Sequence, residues 1–551
     1  MAEPGQQVIA RLSAPERHVL RSLHLVPRGW RRSRGLPGPY TLTGGFSPIP
    51  RGRRQRRETI TGMRTALLVV VTVISLVAAP VPTASAAAQS APRPAAVTQV
   101  SSDPFTNGSS YHATEVEPDT YAVGSTIVGA FQAGRFSGGG SSDIGWATSR
   151  DAGRHWVHGF LPDTVYSHGP YARMSDPVVT YDRKYRTWLI SGLAVNSAGI
   201  GTGVAVNRSA DALHWSKPVT VYTVAAGGFV DKDWITCDNT PSSRYYGNCY
   251  EEFNFVRADG LLEMSVSTNG GRTWRAPKPT ADDARGFAGQ PLVQPGGRVV
   301  VPYLSPGFNS VIASFVSANG GASWSKPHVV SAVDMAADAG SIRNQPLPSA
   351  QEDASGKVYV VWEDCRFRTG CHSNDIVLST STNGTTWTPV VRIPIGKVTD
   401  DADHMLPGIG IQPGTSGSRA KMAIYYYYYP SNACDLKTCR LDVGYVSSVN
   451  GGRTWSTPIQ VGGPTLLGRI APTSQGRMVG DYIGTAVASS RAFALIAVGL
   501  PATGHKEFNE PMVVVSGGEP VTGGPHAVQS AVSGTPPAGR VLSVPALPRP
   551  L

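Results

Sequence analysis

The stretch Ser448-Val449-Asn450-Gly451-Gly452-Arg453-Thr454-Trp455 decides the fold, because close copies of it recur along the chain. Three copies have the same length and span Ser149–Trp156, Ser267–Trp274 and Ser317–Trp324. Two copies are one residue shorter and span Ser209–Trp215 and Ser381–Trp387. The six copies recur at intervals of about fifty to seventy residues, which is the period expected of propeller blades.

Each copy has the composition of a tight turn between two strands. The Asp or Asn oxygen can accept hydrogen bonds from turn amides, Gly supplies positive φ, and Trp returns the chain to apolar packing. The motif resembles the Asp box, Ser-x-Asp-x-Gly-x-Thr-Trp, of the sialidase-like (BNR/Asp-box repeat) β-propeller superfamily of bacterial secreted proteins. Four of the six copies carry Asn at the Asp position, and Asn keeps the capping oxygen.

The segments around the boxes predict four strands per repeat. Around the second box these strands are 177–182, 187–191, 203–206 and 219–222. First strands recur near Glu115, Asp176, Asp231, Gln290, Gln345, His404 and Asp481, one more start than there are boxes. We therefore predict an all-β fold, a β-propeller of four-stranded blades with Asp-box turns. Seven blades are preferred, and six, as in known sialidases, are the alternative.

The ends of the repeat region set the predicted domain boundaries. The propeller is assigned to residues 113–517, and its last repeat has three strands and no box. A segment at 87–112 can supply the missing strand near Thr98 to Val100 and remove the exposed edge. Residues 518–551 are rich in Pro and Gly without a period, and are interpreted as a disordered tail.

Nearly all of the net charge of +11 lies at the front of the chain. Residues 1–86 hold thirteen Arg and no Lys against three Glu, which accounts for ten of the eleven charges. A chain without this segment is close to neutral, and no nucleic-acid partner is expected for it.

The front segment itself has the composition of an export signal. Met63 and Arg64 precede an apolar run that Pro80 ends, and the small-residue site Ala84-Ser85-Ala86 follows. Residues 63–86 are therefore predicted to be a signal peptide cleaved after Ala86, which makes the protein secreted and extracellular, with no stable membrane span after cleavage. Residues 1–62 are interpreted as a non-native or mis-assigned extension without order. An internal membrane anchor with a basic tail is the alternative.

All six cysteines follow the predicted cleavage site, which favours disulfides in an exported chain. Six cysteines allow fifteen pairings, and the simplest choice joins sequence neighbours. The expected pairs are Cys237 with Cys249, Cys365 with Cys371, and Cys434 with Cys439. A zinc site is not favoured, because no Cys-x-x-Cys pair occurs.

Polar residues gather where the innermost strands begin, and such starts converge on the mouth of a propeller channel. They are Glu115, Glu117, Asp119, Arg173, Asp176, Asp231, Lys232, Asp233, Gln290, Arg343, Gln345, Asp403, His404, Asp481 and Tyr482. Crowded carboxyl groups raise one another's pKa, as glycosidase acids require. The alternative for any single Asp is a structural role in a turn or an ion pair.

The family resemblance implies roles for some of these residues. Sialidases use a tyrosine nucleophile from the last blade with a glutamate beside it, which points to Tyr482 with Glu252 or Glu251. We also name Asp233, Asp176 and Asp481 as catalytic candidates. Sialidases hold the substrate carboxylate with three arginines, the first in a Phe/Tyr-Arg-Ile-Pro motif that is absent before the first box. The substrate-binding candidates are Arg173, Arg343, Arg366 and His404.

Two functions follow from these features. The first is a secreted glycoside hydrolase of the sialidase-like, exo-alpha-sialidase type that acts on extracellular glycans. The second is a non-catalytic Asp-box propeller that binds glycans or protein partners, because the boxes are structural turns in both classes. A monomer without a cofactor is expected, and no metal site is assigned. Calcium near Asp400, Asp401 and Asp403 is a minor alternative.

Overall fold

The computed structural model describes residues 96–165, 169–307, 310–504 and 506–530, all within one compact unit, residues 87–551. The predicted N-terminal extension (1–62) and signal peptide (63–86) lie outside the described residues. In the described part, no helix has the length and apolar character needed to cross a bilayer.

The first half of the described chain folds into antiparallel sheets of about four strands. Strand β1 (Val97–Gln99) comes first, and two four-strand groups follow it, joined through Ser141 and Met174. They are β2 (Glu115–Val123), β3 (Thr126–Arg135), β4 (Ser141–Ser149) and β5 (Val157–Phe160), then β6 (Arg173–Asp182), β7 (Thr187–Val195), β8 (Gly201–Ser209) and β9 (Val219–Thr223). The next two sheets are β10 (Val230–Cys237), β11 (Cys249–Phe255), β12 (Leu261–Ser267) and β13 (Lys278–Pro279), then β14 (Leu292–Val293), β15 (Val299–Ser305), β16 (Val311–Ser317) and β17 (His328–Ala332).

The second half repeats this arrangement and adds short strands. One sheet has β18 (Ser349–Glu352), β19 (Val358–Asp364), β20 (Asp375–Ser381) and β21 (Val391–Arg392), and the next has β22 (Asp403–Ile411), β23 (Met422–Tyr429), β24 (Arg440–Ser448) and β26 (Ile459–Leu466). The remaining strands are β25 (Thr454–Trp455), β27 (Pro472–Thr473), β28 (Gly476–Arg477), β29 (Ala486–Ala488), β30 (Arg491–Phe493), β31 (Leu495–Ala497), β32 (Met512–Val515), β33 (Glu519–Pro520), β34 (His526–Ala527) and β35 (Gln529–Ser530). Five single-turn 3-10 helices lie at Val256–Ala258, Ala339–Ser341, Thr369–Cys371, Gly417–Arg419 and Leu467–Arg469.

Apolar cores lie between successive sheets. One cluster joins Leu189 and Val206 of the β6–β9 group to Ile235 and Phe253 of the following sheet, and all four side chains are buried. Burial of such β-branched and aromatic side chains on both faces explains why the strands stack. The described chain is therefore all-β and propeller-like, as the repeats predict.

The six boxes form the predicted turns. In the last one, Asn450 Oδ1 accepts hydrogen bonds from the backbone N–H of Arg453 (3.1 Å) and Thr454 (3.0 Å), and Ser448 Oγ accepts one from Gly452 N–H (3.1 Å). The Trp455 ring is fully buried and donates to the Gly452 carbonyl (3.1 Å). Asp151 makes the same two backbone contacts in the first box, so Asp and Asn serve alike.

The three expected disulfides are present: Cys237–Cys249, Cys365–Cys371 and Cys434–Cys439. The first links neighbouring strands, because Cys237 and Cys249 are paired residues of β10 and β11. The other two close loops of six and five residues.

The two ends of the described chain pair with strands distant in sequence. Strand β1 pairs with β32, and Val97 lies opposite Val515. The prediction of a disordered tail from residue 518 is wrong for its first part, because β33, β34 and β35 pair with β30, β25 and β21. Backbone pairing to earlier strands orders this Pro- and Gly-rich segment, and such pairing leaves no period in the sequence. Residues 531–551 lie outside the described residues.

Candidate functional site

Four innermost strands share an irregularity near their beginnings. The pairing of β2, β6, β10 and β22 with its neighbour slips by a β-bulge, and one residue in each slip has a positive φ of 45° to 55°. These residues are Glu117, Asp176, Lys232 and Leu406. A bulge redirects its side chain, and a strained φ on a non-glycine residue is tolerated where the surrounding structure enforces it. Three of the four redirected side chains are charged.

A cavity of about 140 Å³ lies at these three charged bulges. The loops 137–140 and 198–201 and the pair Ser474-Gln475 form part of its wall. Its lining includes four acidic and three basic side chains, from five different sheets or loops: Glu117, Asp176, Asp231, Asp481, Arg135, Lys232 and Arg343. All of these residues except Arg135 belong to the predicted strand starts.

Nearby oxygens hold Arg343 and Arg135 in place, whereas Lys232 has only a longer contact with a carboxyl group. Arg343 forms an ion pair with Asp481, and Lys232 Nζ lies 4.0 Å from Asp176 Oδ2. Arg135 is buried and donates to the carbonyls of Phe136 (2.8 Å) and Gly140 (2.9 Å). The cavity therefore presents charged groups of both signs that are largely buried, where their mutual effects are strong.

Glu117 and Asp176 form a carboxyl pair. Burial, together with the charges of Asp176 and Asp481, raises the pKa of Glu117 well above its usual value. Burial alone would also raise the pKa of Asp176, but the Lys232 charge and a hydrogen bond from Glu117 bring it below the usual value. The proton of the pair thus resides on Glu117, which donates it to an ionised Asp176.

Asp231 is the third carboxyl group of this cavity. Burial and the charge of Asp176 raise the pKa of Asp231 to about 7, although Arg343 and Lys232 oppose the shift. Asp231 therefore holds its proton up to neutral pH beside a carboxylate that has lost its own. Glycosidases use two such environments, which shift the pKa values of two carboxyl groups in opposite directions, so that one group is an acid and the other is an anion.

Tyr482 lies next to this cavity without lining it. The Tyr482 hydroxyl is buried and donates to the Pro177 carbonyl (3.0 Å). Its ring lies 3.5 Å from Lys232 Nζ and makes an edge contact with Trp234 at 5.3 Å between centroids. Burial and the charges of Glu117 and Asp176 raise the pKa of Tyr482 well above its usual value, which opposes formation of a phenolate.

Asp233, Glu251 and Glu252 form a second group of fully buried carboxyl groups beside the cavity. Burial and the charge of Asp176 raise the pKa of Asp233 to about 8, and Asp233 shares a hydrogen bond with Glu251. Glu252 packs against Gly289, where an added Cβ would lie 2.7 Å from the Glu252 carboxyl carbon. The hydrogen bond of the Tyr482 hydroxyl goes to the Pro177 carbonyl, and none joins it to Glu251 or Glu252 in the described residues.

The remaining predicted binding residues do not line this cavity. Arg173 lies at its edge, donates to the Gly139 carbonyl (3.0 Å) and stacks 4.1 Å over the Phe136 ring. Arg366 pairs with Asp364 at 2.6 Å. His404 is buried and its Nδ1 lies 3.1 Å from the Asn374 carbonyl oxygen, while burial lowers the pKa of His404 to about 4.

Arg135 is the cavity residue that the sequence analysis missed. It ends β3, the second strand of its sheet, and antiparallel pairing brings that end beside the start of β2. A search confined to first strands cannot find it. Charged residues at the ends of second strands, in register with the first-strand starts, are the signal that could have identified it.

Comparisons with known proteins give distant structural similarity only. No protein-family model and no curated protein matches the sequence. A protein of unknown function from Dyadobacter fermentans is 15% identical with a TM-score of 0.41, covering 64% of this chain and 99% of that chain. The NanB sialidase from Streptococcus pneumoniae is 13% identical with a TM-score of 0.40, covering 77% and 70%.

A third structure belongs to another glycosidase type. The alpha-L-arabinofuranosidase PaAbf62A from Podospora anserina is 12% identical with a TM-score of 0.32, covering 49% of this chain and 90% of that chain. The protein therefore resembles glycoside hydrolases distantly, along with a protein of unknown function.

A larger cavity of about 380 Å³ lies toward the opposite ends of the same innermost strands. Its lining includes Asp119, Tyr121, Trp234 and Glu352. Burial raises the pKa of Asp119 to about 6 and that of Glu352 to about 7. It contains fewer charged side chains of opposite sign than the first cavity, and no bulge residue lines it.

The acidic stretch considered for calcium does not converge. Asp400 accepts from Arg368 Nη1 (3.1 Å) and from Lys397 N–H (2.9 Å), whereas Asp403 is buried and accepts from Asn374 N–H (2.7 Å). In the described part of the chain, Asp182 and the cysteines Cys237 and Cys249 are the group whose ligand atoms lie within 4.8 Å of one another. Those two cysteines form a disulfide, so they are not metal ligands.

Proposed function

We propose that the protein is a secreted glycoside hydrolase that works with two carboxyl groups of the 140 Å³ cavity. One observation carries the proposal: Asp231, with a pKa raised to about 7, shares the cavity with the ionised Asp176. Most glycosidases require one protonated carboxyl group, the general acid, and one ionised carboxylate at the glycosidic bond.

In the proposed reaction, Asp231 donates its proton to the glycosidic oxygen as the bond from that oxygen to the anomeric carbon breaks. Asp176 stabilises the positive charge that develops on the sugar, held in place by its hydrogen bond from Glu117. Water adds to the anomeric carbon, and its released proton restores Asp231. Arg135 and Arg343 supply fixed donors for acidic or hydroxyl groups of the glycan.

The finer assignment to an exo-alpha-sialidase is part of this proposal, with Tyr482 as nucleophile. The Asp boxes support it, while the missing arginine motif and the raised pKa of Tyr482 favour the carboxyl groups instead. Secretion remains part of the proposal, and three disulfides support it.

The seven-blade count also belongs to the proposal. Six four-strand groups would be followed by a seventh blade made from residues 486–515, with β1 as its outer strand. The pairing of β1 with β32 supports this closure, which leaves no open edge between the first and last sheets.

The test is hydrolysis of a panel of fluorogenic glycosides, including a sialoside, by residues 87–551 and by variants. Asp231→Asn should lower kcat at least about a hundredfold, because a general acid typically accelerates the reaction by at least this factor. The pH profile of kcat/KM should fall as pH rises through about 7. Asp259→Asn, an exposed aspartate with 94% side-chain exposure, is the matched control and should leave turnover unchanged.

The variant Tyr482→Phe separates the two chemistries. Sialoside turnover that survives in Tyr482→Phe but disappears in Asp231→Asn supports the carboxyl mechanism, whereas the reverse supports the tyrosine nucleophile. No turnover across the panel from a folded sample would overturn the hydrolase proposal. A non-catalytic Asp-box propeller that binds glycans or protein partners would then take its place.

A further inference from the structure

A second set of buried acidic groups surrounds one asparagine, away from the proposed catalytic carboxyl groups. Asn344 Nδ2 donates to Asp338 Oδ2 (3.1 Å) and to both oxygens of Glu363 (3.0 and 2.8 Å). Asp403 lies against Asp338, with which it shares a hydrogen bond. Glu363 and Asp403 are fully buried, and none of the three carboxyl groups pairs with a Lys or Arg in the described residues.

Two further side chains face this group with atoms that lack a partner. The Tyr429 hydroxyl is fully buried and has no hydrogen-bond partner. Tyr429 lies opposite Asp403 in the register of β22 and β23. The charges of Asp338 and Asp403 act on its hydroxyl group and add to the effect of burial, which raises the pKa of Tyr429. Asn344 Oδ1 is likewise unpartnered in a side chain that is 8% exposed. Buried oxygens without a protein partner are costly, and a bound cation is one way to satisfy them.

From these contacts we infer a calcium site formed by Asp338, Glu363, Asp403, Asn344 and Tyr429. The available ligands are all oxygens, a set that suits a hard divalent cation. A set of five protein oxygen ligands favours Ca²⁺ over Mg²⁺, which dehydrates reluctantly and usually keeps several waters. A cation would balance the negative charge that these carboxyl groups carry when they are ionised, since no Lys or Arg of the described residues pairs with them.

Binding requires a small local adjustment. The three carboxyl groups do not bring their oxygens within 4.8 Å of one another, so the cation would draw them inward. Rotation of the Asn344 amide exchanges its nitrogen for its oxygen, at a position that is now within 3.1 Å of Asp338 Oδ2 and 2.8 Å of a Glu363 carboxyl oxygen. Asp403 is common to this site and to the calcium site considered from the sequence. The other ligands differ, because residues distant in sequence take the place of Asp400 and Asp401.

The surroundings form a fixed frame for this movement. Asn432 Oδ1 accepts from Ala339 N–H (2.9 Å), and its Nδ2 donates to the carbonyls of Ala337 (3.1 Å) and His372 (3.2 Å). The disulfide Cys365–Cys371 follows Glu363 by two residues, and Cys434–Cys439 follows Tyr429 by five. The site would tie three loops together.

The location links calcium to the candidate active site. Asn344 is flanked by Arg343 and Gln345, and both line the 140 Å³ cavity. A cation on Asn344 would therefore fix the loop that presents Arg343. The inference concerns binding of Ca²⁺ itself, so it stands or falls independently of the proposed hydrolase function.

The test is calcium titration of chelator-treated protein, residues 87–551, by isothermal calorimetry and thermal unfolding. One Ca²⁺ should bind per chain, and millimolar calcium should raise Tm by a few degrees, reversibly with chelator and with a smaller effect of Mg²⁺. Glu363→Gln should weaken binding at least about tenfold, because it removes a charged ligand. The matched control is Glu510→Gln, another fully buried glutamate, which should leave binding unchanged.

A second variant covers the case in which Glu363→Gln fails to fold. Tyr429→Phe removes one oxygen, and it should lower both Ca²⁺ affinity and the phenol-sensitised emission of bound Tb³⁺. Absence of heat and of any Tm shift in the original protein would overturn the inference. Calcium binding that is unchanged in both Glu363→Gln and Tyr429→Phe would overturn it as well, because the ion would then lie elsewhere.

Discussion

At the scale of single residues, the fold depends on one side-chain oxygen per turn. Asn450 Oδ1 accepts two backbone hydrogen bonds, from Arg453 and Thr454, in a half-buried turn. Asn450→Ala leaves both donors without this acceptor, and we expect it to lower the free energy of unfolding by about 1–2 kcal/mol. Urea-induced unfolding followed by circular dichroism measures this change.

The charged analogue serves as the control for this turn. Asn450→Asp keeps the accepting oxygen and replaces the donor of the 2.9 Å hydrogen bond from Nδ2 to Thr454 Oγ1 by an acceptor, to which the Thr454 hydroxyl can donate. It should therefore stay closer to the original stability than Asn450→Ala, as Asp151 does the same work in the first box. Equal losses for Ala and Asp would show that the turn does not depend on the oxygen.

The residues of the site were only partly predictable. Of the polar residues expected at one channel mouth, Glu117, Asp176, Asp231, Arg343 and Asp481 line one cavity, since repeat position fixes which end of a strand they occupy, but others such as Asp403 and His404 do not. The positive φ of the bulge residues was not predictable, because it reflects a slip in pairing. Which carboxyl group keeps its proton depends on burial and on distances to Lys232, and a sequence pattern contains neither.

At the scale of elements, strand β1 covers the outer edge of β32. Val100 N–H donates to the Met512 carbonyl and Ser516 N–H donates to the Ala96 carbonyl, both at 2.9 Å. Alternation along an antiparallel ladder therefore places Thr98 in a hydrogen-bonded pair with Val514. Thr98→Pro removes the donor and should detach β1, because proline is excluded from such positions.

We expect Thr98→Pro to lower Tm and to promote aggregation through the exposed edge of Met512–Val515, which is apolar and fully paired in the intact protein. Thermal unfolding and light scattering measure the two effects. Thr98→Ala is the control, since it loses only the hydroxyl contact with Ser516 (2.8 Å). If Thr98→Pro matches Thr98→Ala in both measurements, β1 does not protect this edge.

Prediction of elements succeeded where the sequence repeats and failed where pairing is non-local. The box at Ser448–Trp455 and its five copies identified the strands around each turn. By contrast, β33 to β35 lie in a stretch rich in Gly and Pro, and each is two residues long. Their order comes from partners such as Arg491 and Val391, far away in sequence, so local composition misrepresents them.

At the scale of the whole molecule, several carboxyl groups are buried, and their raised pKa values make the stability of the fold depend on pH. Burial raises the pKa of Glu115 to about 8, of Asp231 to about 7 and of Glu352 to about 7. Between the unfolded values near 4 and these folded values, the folded chain binds more protons than the unfolded chain. Their stabilising contribution is therefore complete below about pH 4 and is lost as pH rises through about 7 to 8.

The free energy of unfolding should accordingly be larger at about pH 5 than at about pH 8, measured by urea unfolding with chelator present. Each such group can contribute a slope of up to about 1.4 kcal/mol per pH unit. Glu115→Gln, which keeps a hydrogen-bonding partner for Ser101 Oγ, should flatten the decline, whereas the exposed Glu507→Gln should not. Stability that rises from pH 5 to pH 8 would contradict this account, because it would mean that the folded chain binds fewer protons than the unfolded chain over this range.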